Sequence, residues 1–581
     1  PIENAAMADR TIIQWEKNDL EALGLLKIDV LALGMLSAVR KCLDLVSDYS
    51  DEPLTIQKIP AEDPAVYEMM CAADTIGVFQ IESRAQMSML PRLKPRCYYD
   101  LVIQIAIVRP GPIQGEMVHP YLNRRSGREA ISYPSEAVKS VLERTLGVPI
   151  FQEQVMQLAM VAAGFSGGEA DGLRRAMAAW KRKAGLEHYR EKLVTGMLDR
   201  GYEPSFAEQL FNQIKGFGDY GFPESHSASF ALIAYVSSWL KCYHPAAFCC
   251  ALLNSQPMGF YAPAQLIKDA QRHGVEVLPA EVNESVVGCS LEASDTVRAS
   301  KAIESPDSSE WRKRPRVQGA AQSQRLRIGF NLVKGLSAQA AVAIVEARRG
   351  GAYVSIQDLV FRTGIDRRDL EALAAADALR GLAGDRHRAF WHAAGVITAQ
   401  GYAVSHSRAG SLAHADRPIA DLFDDAASGD SDFGLGVMLP LASESQNVAG
   451  DYAATGFTLR RHPLALLREH LDCFGANSSA QLGKLGNDQA TKVTGLVTCR
   501  QRPMTASGVT FLTLEDEAGH MNVVVWPALG ERLRPILRQA MLIGVVGRVQ
   551  ENEGVIHVIA DNLVDLTSWL GELSLSSRDF T

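Results

Sequence analysis

The alternation of apolar and polar residues predicts a strand and then a helix near the start of the chain. Lys27-Ile28-Asp29-Val30 alternates with a period of two, which places Lys27 and Asp29 on one face of a short strand. An acidic residue at the end of a strand that precedes a helix lies where α/β sheets often place their active sites. Helical spacing of apolar residues follows at Ala32, Leu36, Val39, Leu43 and Val46.

From about residue 63 to residue 283 the pattern is mainly helical and is interrupted by Gly and Pro. The periodicity predicts helices over Gln154–Ala163, Gly168–Lys183, Phe206–Ile214 and Ser227–Cys242. Residues 284–324 are polar, Ser-rich and partly basic, which predicts an irregular insertion. Residues 328–391 return to short helices, and the Ala/Asp/Gly/Ser-rich segment 410–455 is typical of an acidic linker.

After a helical connector at 456–490, the pattern changes to strands. We predict five strands, over Val493–Thr498, Thr510–Glu515, Met521–Val525, Leu542–Val549 and Val555–Asp561. A helical stretch, Leu529–Arg538, separates the third strand from the fourth, as in a small OB-type barrel over residues 491–568 that precedes a tail at 569–581. The expected fold class is multidomain α+β, with mostly helical fingers-type and helix-hairpin-helix-type regions before the carboxy-terminal barrel.

Composition narrows the possible functions. The 581 residues have a net charge of -8, with 59 Lys+Arg and 67 Asp+Glu, so binding to DNA would depend on local basic clusters. No apolar run approaches the roughly 20 residues of a membrane span, so we expect no membrane association. Nine Cys without a CxxC pair predict reduced thiols in the cytoplasm and no zinc site. The start, Pro1-Ile2-Glu3-Asn4, predicts that the chain begins within a longer protein.

A basic stripe follows the predicted helix Gly168–Lys183. Arg174 and Lys181 are seven residues apart and share a face, as do Arg175 and Arg182, and Lys183 follows them. Arginine binds phosphate oxygens bidentately, so this face suits a triphosphate or a DNA backbone. An ordinary solvated charged face is the alternative interpretation.

The stretch Tyr220–Ser227 is a second candidate phosphate site. Its Gly-Phe-Pro sequence predicts a turn, and Ser225 and Ser227 are positioned to cap the helix that follows. Ser225 and His226 at a helix amino terminus suit an anion, although ordinary capping beside an exposed His explains the pattern equally. Asp29 beside Lys27 suits a divalent metal near a phosphate, but an isolated Asp is more often structural.

Five motifs in order resemble bacterial DNA polymerases of the C family, the polymerase III α type. They read GVFQIESR (77–84), RPGP (109–112), FQEQVMQLA (151–159), GEADGLRRAM (168–177) and YGFPESHSASFALIAY (220–235). The resemblance is strong from residue 1 to about residue 285 and continues more weakly to the barrel. It implies a nucleotidyltransferase that binds DNA primer-template and dNTP with Mg²⁺.

The resemblance assigns roles to individual residues. It implies that Asp29 is a catalytic, metal-binding residue of the palm and that Lys27 lies near the primer terminus and the nucleotide. The remaining nucleotide-binding residues would be Arg174, Arg175, Ser225 and His226. Residues that line the same fingers site would be Arg109, Gln152 and Glu153. The continuing basic stretch, Lys181, Arg182 and Lys183, would contact DNA.

Departures from the replicative pattern favour the error-prone branch of the family (ImuC-like), used in damage-induced mutagenesis. Replicative members usually have Asn-Lys-Ser-His where this chain has Pro223-Glu224-Ser225-His226. PIENAAMADRTIIQW (1–15) and GFTLRRHPLALLR (456–468) also resemble that branch, and the chain leaves no room for a τ-binding tail. Accessory mutagenesis proteins (ImuA/ImuB-like) are therefore expected partners.

The resemblance also covers the later segments. Residues 328–391 resemble a helix-hairpin-helix region, in which the turn with Lys334 and Gly335 would present N–H groups to DNA phosphate. Asp421-Leu422-Phe423 resembles the end of a sliding-clamp peptide, but Pro418 replaces the usual Gln, and a plain acidic linker is the alternative. The barrel would bind single-stranded template, with Phe511 and Trp526 as stacking candidates or, equally, as core residues.

The implied domains are the end of the palm (1–48), the fingers (49–285) and a clamp-binding helix-hairpin-helix region (286–409). The other two catalytic Asp residues of the family would precede Pro1, so we expect that the 581-residue chain alone does not polymerise. Two alternatives remain at this point. One is the main replicative α subunit, and the other is a non-catalytic DNA-binding scaffold.

Overall fold

The computed structural model describes residues 2–4, 11–13, 23–24, 31–50, 52–109, 112, 117–179, 186–216, 222–293, 324–395, 440–502, 508–552, 555–571 and 578–580. The predicted strand with Lys27 and Asp29, the basic residues Lys181, Arg182 and Lys183, and the clamp-like segment Asp421-Leu422-Phe423 lie outside this set. The first described elements are strands β1 (Ile2–Asn4) and β2 (Thr11–Ile13), which pair antiparallel.

A helical body follows, and its apolar faces form one large core. Its first six helices are α1 (Leu33–Tyr49), α2 (Pro64–Cys71), α3 (Arg84–Leu93), α4 (Tyr98–Ile107), α5 (Val118–Arg125) and α6 (Glu136–Leu142). The others are α7 (Gln152–Ala163), α8 (Gly167–Ala179), α9 (Leu186–Leu198), α10 (Pro204–Gly216), α11 (Glu224–Tyr243), α12 (Pro245–Leu253) and α13 (Pro263–Arg272). Side-chain caps begin several of them. The Asp63 carboxylate accepts the N–H of Ala65 at 2.9 Å, for example, and starts α2.

The long helix α11 packs against α4 and passes through the centre of this body. It begins at Glu224, three residues before the predicted start, with Pro223 as the N-cap. The prediction that Ser225 and Ser227 cap this helix was wrong. Ser225 is exposed in the first turn, and the buried Ser227 hydroxyl donates to the carbonyl of Val102 instead.

A small sheet joins the helical body to the next region. Its strands are β3 (Val277–Leu278), β4 (Ser290–Ala293) and β5 (Gln324–Arg327), in the order β3-β5-β4. Strand β4 was not predicted, since it lies at the start of the segment that was expected to be irregular. It forms a strand because its residues pair antiparallel with β5. The following helices are α14 (Ala338–Ala347), α15 (Ile356–Thr363), α16 (Arg367–Ala375) and α17 (Arg380–Ala383).

The end of the predicted acidic linker is helical. Helix α18 (Glu444–Ala454) begins where Ser443 accepts the N–H of Gln446, and the Gln446 side chain accepts the N–H of Ser443 in return. This reciprocal cap gives a sequence of linker composition a defined helical start. The connector continues as α19 (Pro463–Leu466), α20 (Arg468–Phe474) and α21 (Ser479–Leu482).

The last region is a closed barrel, as the alternation predicted. Its strands are β6 (Ala490–Gln501), β7 (Thr510–Glu515), β8 (His520–Val525), β9 (Leu542–Asn552) and β10 (Val555–Asp565). The order β6-β7-β8-β10-β9, with β9 returning to β6, closes the sheet. The barrel core contains Val493, Leu512, Leu514, Val523, Val545 and Val558.

Two details of the barrel region differ from the expectation. The predicted helical stretch is divided into α22 (Pro527–Arg532) and α23 (Arg534–Gln539), because Pro535 lacks the N–H that a continuous helix needs. The tail also returns to the barrel, where β11 (Arg578–Phe580) pairs parallel with β6.

The barrel packs against the helical body through a group of charged residues, the seam, formed by Lys268, His462, Glu515 and Asp516. The Lys268 ammonium on α13 lies 2.6 Å from a carboxylate oxygen of Glu515 and 2.9 Å from the carbonyl of Asp516. Burial alone would raise the pKa of Glu515, but His462 and Lys268 hold it well below its usual value. Among the described residues, no helix is long and apolar enough to cross a membrane.

Candidate nucleotide site and nucleic-acid interface

The turn before α11 is fastened to the amino terminus of α7. The backbone N–H of Gln152 donates to the carbonyl of Phe222 at 3.4 Å, and the Glu153 carboxylate accepts the N–H of Glu224 at 3.0 Å. Glu153 lies in the first turn of α7, where a negative charge is favourable, and it also satisfies an otherwise free donor at the start of α11. The Glu153 carboxylate therefore stabilises the amino termini of both α7 and α11. At α11 it takes the place of the serine cap that the sequence predicted.

Arg109 lies against the same turn. Its guanidinium carbon is 4.8 Å from the centre of the Phe222 ring, and its Nη2 donates to Gln80 at 2.6 Å. Gln80 has a left-handed backbone with φ 63°, which costs energy for a residue other than glycine and is common at ligand sites. The structure thus brings Arg109, Gln152 and Glu153 to the turn that contains Ser225 and His226.

The exposed His226 packs against two phenylalanine rings. Its ring centre is 6.4 Å from that of Phe222 and 5.8 Å from that of Phe230, both in edge-on arrangements. Phe230 in turn meets Phe79 edge-on at 5.5 Å. The edge-on contacts with Phe222 and Phe230 orient the imidazole ring of His226.

Arg174 and Arg175 share one carboxylate on α8. The Asp171 Oδ1 lies 2.8 Å from Nη2 of Arg174, and its Oδ2 lies 2.7 Å from Nη2 of Arg175. Hydrogen bonds from Arg174 and then Arg175 hold the pKa of Asp171 below its usual value. The Arg175 side chain is 69% exposed, so it can meet a ligand without a change in the fold. One acid therefore orients both guanidinium groups along the same helix face.

Helix α7 connects these two groups of residues. The turn before α11 docks on its amino terminus, and α8 packs along it. A single rigid element thus supports both predicted nucleotide-binding sets, which is the arrangement that a precise binding site needs.

Lys334 is engaged within the protein. Its backbone N–H donates to the carbonyl of Ala454 at 2.8 Å, and its ammonium group lies 3.1 Å from the carbonyl of Tyr452. These contacts satisfy the carboxy terminus of α18, so the expectation that Lys334 offers its N–H to phosphate was wrong. Gly335 is exposed and has φ 87°, a conformation that suits glycine.

Both stacking candidates lie outside the barrel core. Trp526 is 53% exposed at the end of β8, and Phe511 is half-buried on β7 beside the core residue Leu512. The packing therefore does not support the alternative that Phe511 and Trp526 are core residues. An exposed indole and an outward-facing phenyl ring are surfaces on which bases can stack.

A buried charge cluster lies elsewhere in the helical body. Ligand atoms of Asp74, Asp269 and His273 come within 4.8 Å of one another, as in a metal site. The Lys241 ammonium, however, lies 3.1 Å from Asp74 and 2.7 Å from Asp269. Because a lysine cation already neutralises these carboxylates, we interpret the cluster as structural.

Sequence reasoning missed several residues of the candidate site. Gln80 and Asp171 lie within the quoted motifs, and only their contacts with arginines reveal a role. Tyr99 and Arg144 lie in no motif, yet both contact the Glu224 side chain. Their signal is tertiary, because each partner comes from a distant part of the chain.

Family models match three segments of the chain. Residues 35–201 match the bacterial DNA polymerase III alpha subunit finger domain. Residues 274–389 match a helix-hairpin-helix motif, and residues 491–566 match an OB-fold nucleic acid binding domain. With the fold and the turn described above, these three matches show that the chain is similar to the finger, helix-hairpin-helix and OB-fold parts of the bacterial DNA polymerase III alpha subunit type.

Curated relatives with the printed name error-prone DNA polymerase align with the whole chain. The chain is 58% identical over 580 residues to the error-prone DNA polymerase of Methylococcus capsulatus. It is 53% identical to that of Alkalilimnicola ehrlichii and 54% identical to that of Bordetella bronchiseptica. Each alignment covers 100% of this chain but only 51–52% of the relative. The chain therefore spans about half the length of the curated relatives that it matches.

Proposed function

We propose that this chain forms the fingers, helix-hairpin-helix and OB-fold part of an error-prone DNA-directed DNA polymerase. The whole protein would join a dNTP to a primer 3′ end in the cytoplasm, during damage-induced mutagenesis and translesion repair synthesis. Identity of 58% over the chain to a protein with that printed name supports the proposal. The main support for the proposal is that two groups of residues suited to bind phosphate contact the same helix, α7. These groups are the turn with Ser225 and His226 and the pair Arg174 and Arg175.

In this proposal the arginines of α8 hold the triphosphate. Asp171 occupies one edge of each guanidinium group, and the remaining N–H donors are left for phosphate oxygens. Positive charge fixed there would stabilise the charge that develops on the phosphates during transfer. His226 and Ser225 would contact the sugar end of the nucleotide, and Arg109 would line the same pocket.

The proposed metal is Mg²⁺, held by Asp29 with Lys27 beside it. Asp29 lies outside the described residues, and the Asp74–Asp269–His273 cluster already holds Lys241, so no described group offers a second place for the ion. When bound, magnesium would activate the 3′ hydroxyl and neutralise the leaving pyrophosphate. The described residues bind and orient the nucleotide.

We further propose how nucleic acid and partners meet the chain. Primer-template DNA would contact Lys181, Arg182 and Lys183 and the exposed Gly335 turn, while single-stranded template would stack on Phe511 and Trp526. Asp421-Leu422-Phe423 would bind the sliding clamp, and ImuA/ImuB-like accessory proteins would complete the assembly. The domain assignments are 1–48 for the end of the palm, 49–285 for the fingers, 286–409 for the helix-hairpin-helix region and 491–568 for the barrel.

A complementation experiment tests the function. A strain that lacks the full-length protein would receive the wild-type gene, Arg174→Ala/Arg175→Ala or the control Arg40→Ala, in which an exposed arginine on α1 is replaced. We expect mutagenesis after DNA damage with the wild type and the control, and its loss with the double variant. Equal mutagenesis in all three strains would contradict the proposal.

A further inference from the structure

The Glu224 side chain forms a hydrogen bond and an ion pair with two residues that lie outside the quoted motifs. Its Oε1 accepts the hydroxyl of Tyr99 at 2.8 Å and lies 3.3 Å from Nη1 of Arg144. The Arg144 guanidinium carbon lies 3.9 Å from the centre of the Tyr99 ring. Burial, followed by the bond to Glu224, raises the pKa of Tyr99, so its hydroxyl stays protonated and donates.

The backbone of Glu224 is held separately. Its N–H donates to Glu153, and the carbonyl of the neighbouring Phe222 accepts from the backbone of Gln152. The first residue of α11 is thus anchored through its main chain by α7 and through its side chain by α4 and the segment after α6. An ionised carboxylate that accepts hydrogen bonds makes stronger contacts than a neutral group.

The same turn is also held by the contact of Arg109 with the Phe222 ring and by the edge-on contact of His226 with that ring. Ser225 and His226 are exposed residues of this turn. Their orientation depends on both sets of contacts, because the helix begins at Glu224 without a side-chain cap from its own N-cap residue, Pro223. Release of one set would tilt or fray the first turn, while the rest of α11 stays packed in the core.

We propose that Glu224 is a positioning residue that, through Tyr99 and Arg144, fixes the first turn of α11 and so presents Ser225 and His226 to the nucleotide. This inference rests on the proposed function, since the nucleotide is the ligand that the turn would meet. Arg144 serves as the counter-ion of Glu224 and is itself steadied by the face of the Tyr99 ring.

Hydrogen exchange and nucleotide titration of the 581-residue chain test the inference together. The variants are Glu224→Ala, Glu224→Gln and Arg144→Met, with Glu136→Ala as the control. Glu136 is also a glutamate in an ion pair, but its side chain is 89% exposed and its partner is Lys139 on the same helix, α6. Glutamine can still accept from Tyr99 but loses the charge, so it distinguishes the hydrogen bond from the ion pair.

In Glu224→Ala we expect amides in residues 222–230 to exchange about tenfold faster and the Kd for dNTP with Mg²⁺ to rise about tenfold, at an unchanged unfolding midpoint. Glu224→Gln and Arg144→Met should show smaller changes in the same direction. The control should match the wild type in both measurements. A turn that exchanges at the wild-type rate in Glu224→Ala, or a dNTP affinity that is unchanged despite faster exchange, would overturn the inference. If the wild type itself binds no dNTP while Glu224→Ala speeds exchange, the anchoring of the turn stands and the proposed nucleotide function fails.

Discussion

Lys241 is a fully buried lysine whose ammonium group lies between the carboxylates of Asp74 and Asp269 and also donates to the carbonyl of Ile76 at 3.0 Å. Burial alone would lower its pKa, but Asp269 and then Asp74 raise it above the usual value. The cluster joins α11 and α13 with the segment after α2. At the residue scale it shows how the helical body tolerates buried charge, since each charge has a partner of opposite sign.

Removal of this lysine should be costly. Lys241→Met removes the ammonium group that both carboxylates contact and leaves only His273 beside Asp74 in this cluster. Breaking a buried pair in this way costs about 3–5 kcal/mol of unfolding free energy. Denaturant unfolding followed by circular dichroism measures the effect. Lys139→Met, which removes an exposed ion pair on α6, serves as the control and should change stability by less than about 0.5 kcal/mol. Similar midpoints for the two variants would contradict the assignment.

His273 in the same cluster predicts a pH dependence. Burial would lower its pKa, but Asp74, at 2.8 Å, and Asp269 outweigh burial despite the nearby Lys241, and the pKa lies above the ordinary value of 6.5. A group with a raised pKa stabilises the fold below its unfolded pKa, and this stability is lost as pH rises through the folded pKa. The stability difference between the wild type and His273→Asn should therefore shrink as pH rises above the ordinary histidine pKa of 6.5. Thermal unfolding across these pH values checks the trend, and a constant difference would contradict it.

Among the elements, the strands were the most predictable. Alternation located all five barrel strands, because one face of each strand must pack in the barrel core while the other faces out. The start of α11 was not predictable, since the carboxylate that accepts its first N–H belongs to Glu153 on another helix. The same limit applies to the candidate site. Sequence spacing grouped Arg174 with Lys181 and Arg175 with Arg182, and it did not reveal that Arg174 and Arg175 share a bond to Asp171.

Strands β9 and β10 of the barrel approach each other closely at Gly547. A Cβ added at Gly547 on β9 would lie 2.1 Å from the carbonyl oxygen of Ile559 on β10. Gly547→Ala should therefore force the strands apart and destabilise the barrel by about 1–3 kcal/mol, the usual cost of overpacking. Gly483→Ala is the matched control, because a Cβ there meets nothing within 4 Å. Hydrogen exchange of β9 and β10 measures the effect, and equal protection in both variants would show that the approach is not limiting.

At the scale of the whole molecule, the seam around Lys268 joins the barrel to the helical body. In the Lys268→Ala variant the Glu515 carboxylate still has His462 at 3.6 Å and His520 at 4.0 Å, but burial lowers the pKa of both histidines, so neither replaces the lost cation. Local opening of the seam should become easier by about 1.5–3 kcal/mol, the range for hydrogen bonds to charged groups. Faster hydrogen exchange in residues 265–272 and 511–516 is the expected result. The exposed Lys484→Ala is the control, and unchanged exchange in Lys268→Ala would contradict a stabilising seam.

The fold class was predictable from the sequence, because the helical regions and the barrel strands have different hydrophobic periods. The arrangement of the regions was not, since it depends on pairs such as Lys268–Glu515 that are 247 residues apart. The composition of residues 410–455 predicted a linker, and this prediction was wrong for the end of the segment. The end of the acidic segment forms α18, whose carboxy terminus is capped by Lys334, a residue that had been assigned to DNA.

Helix α8 and the first turn of α11 form the proposed nucleotide site on α7. The most direct measurement is a titration of the 581-residue chain with dNTP and Mg²⁺, comparing the wild type with Arg174→Ala/Arg175→Ala, His226→Ala and the control Arg40→Ala. We predict saturable binding by the wild type and the control. Each lost arginine should weaken binding by about 1.5–3 kcal/mol, as for hydrogen bonds to charged groups, and His226→Ala should also weaken it. Equal affinity in all four proteins, or no binding by the wild type, would contradict the account.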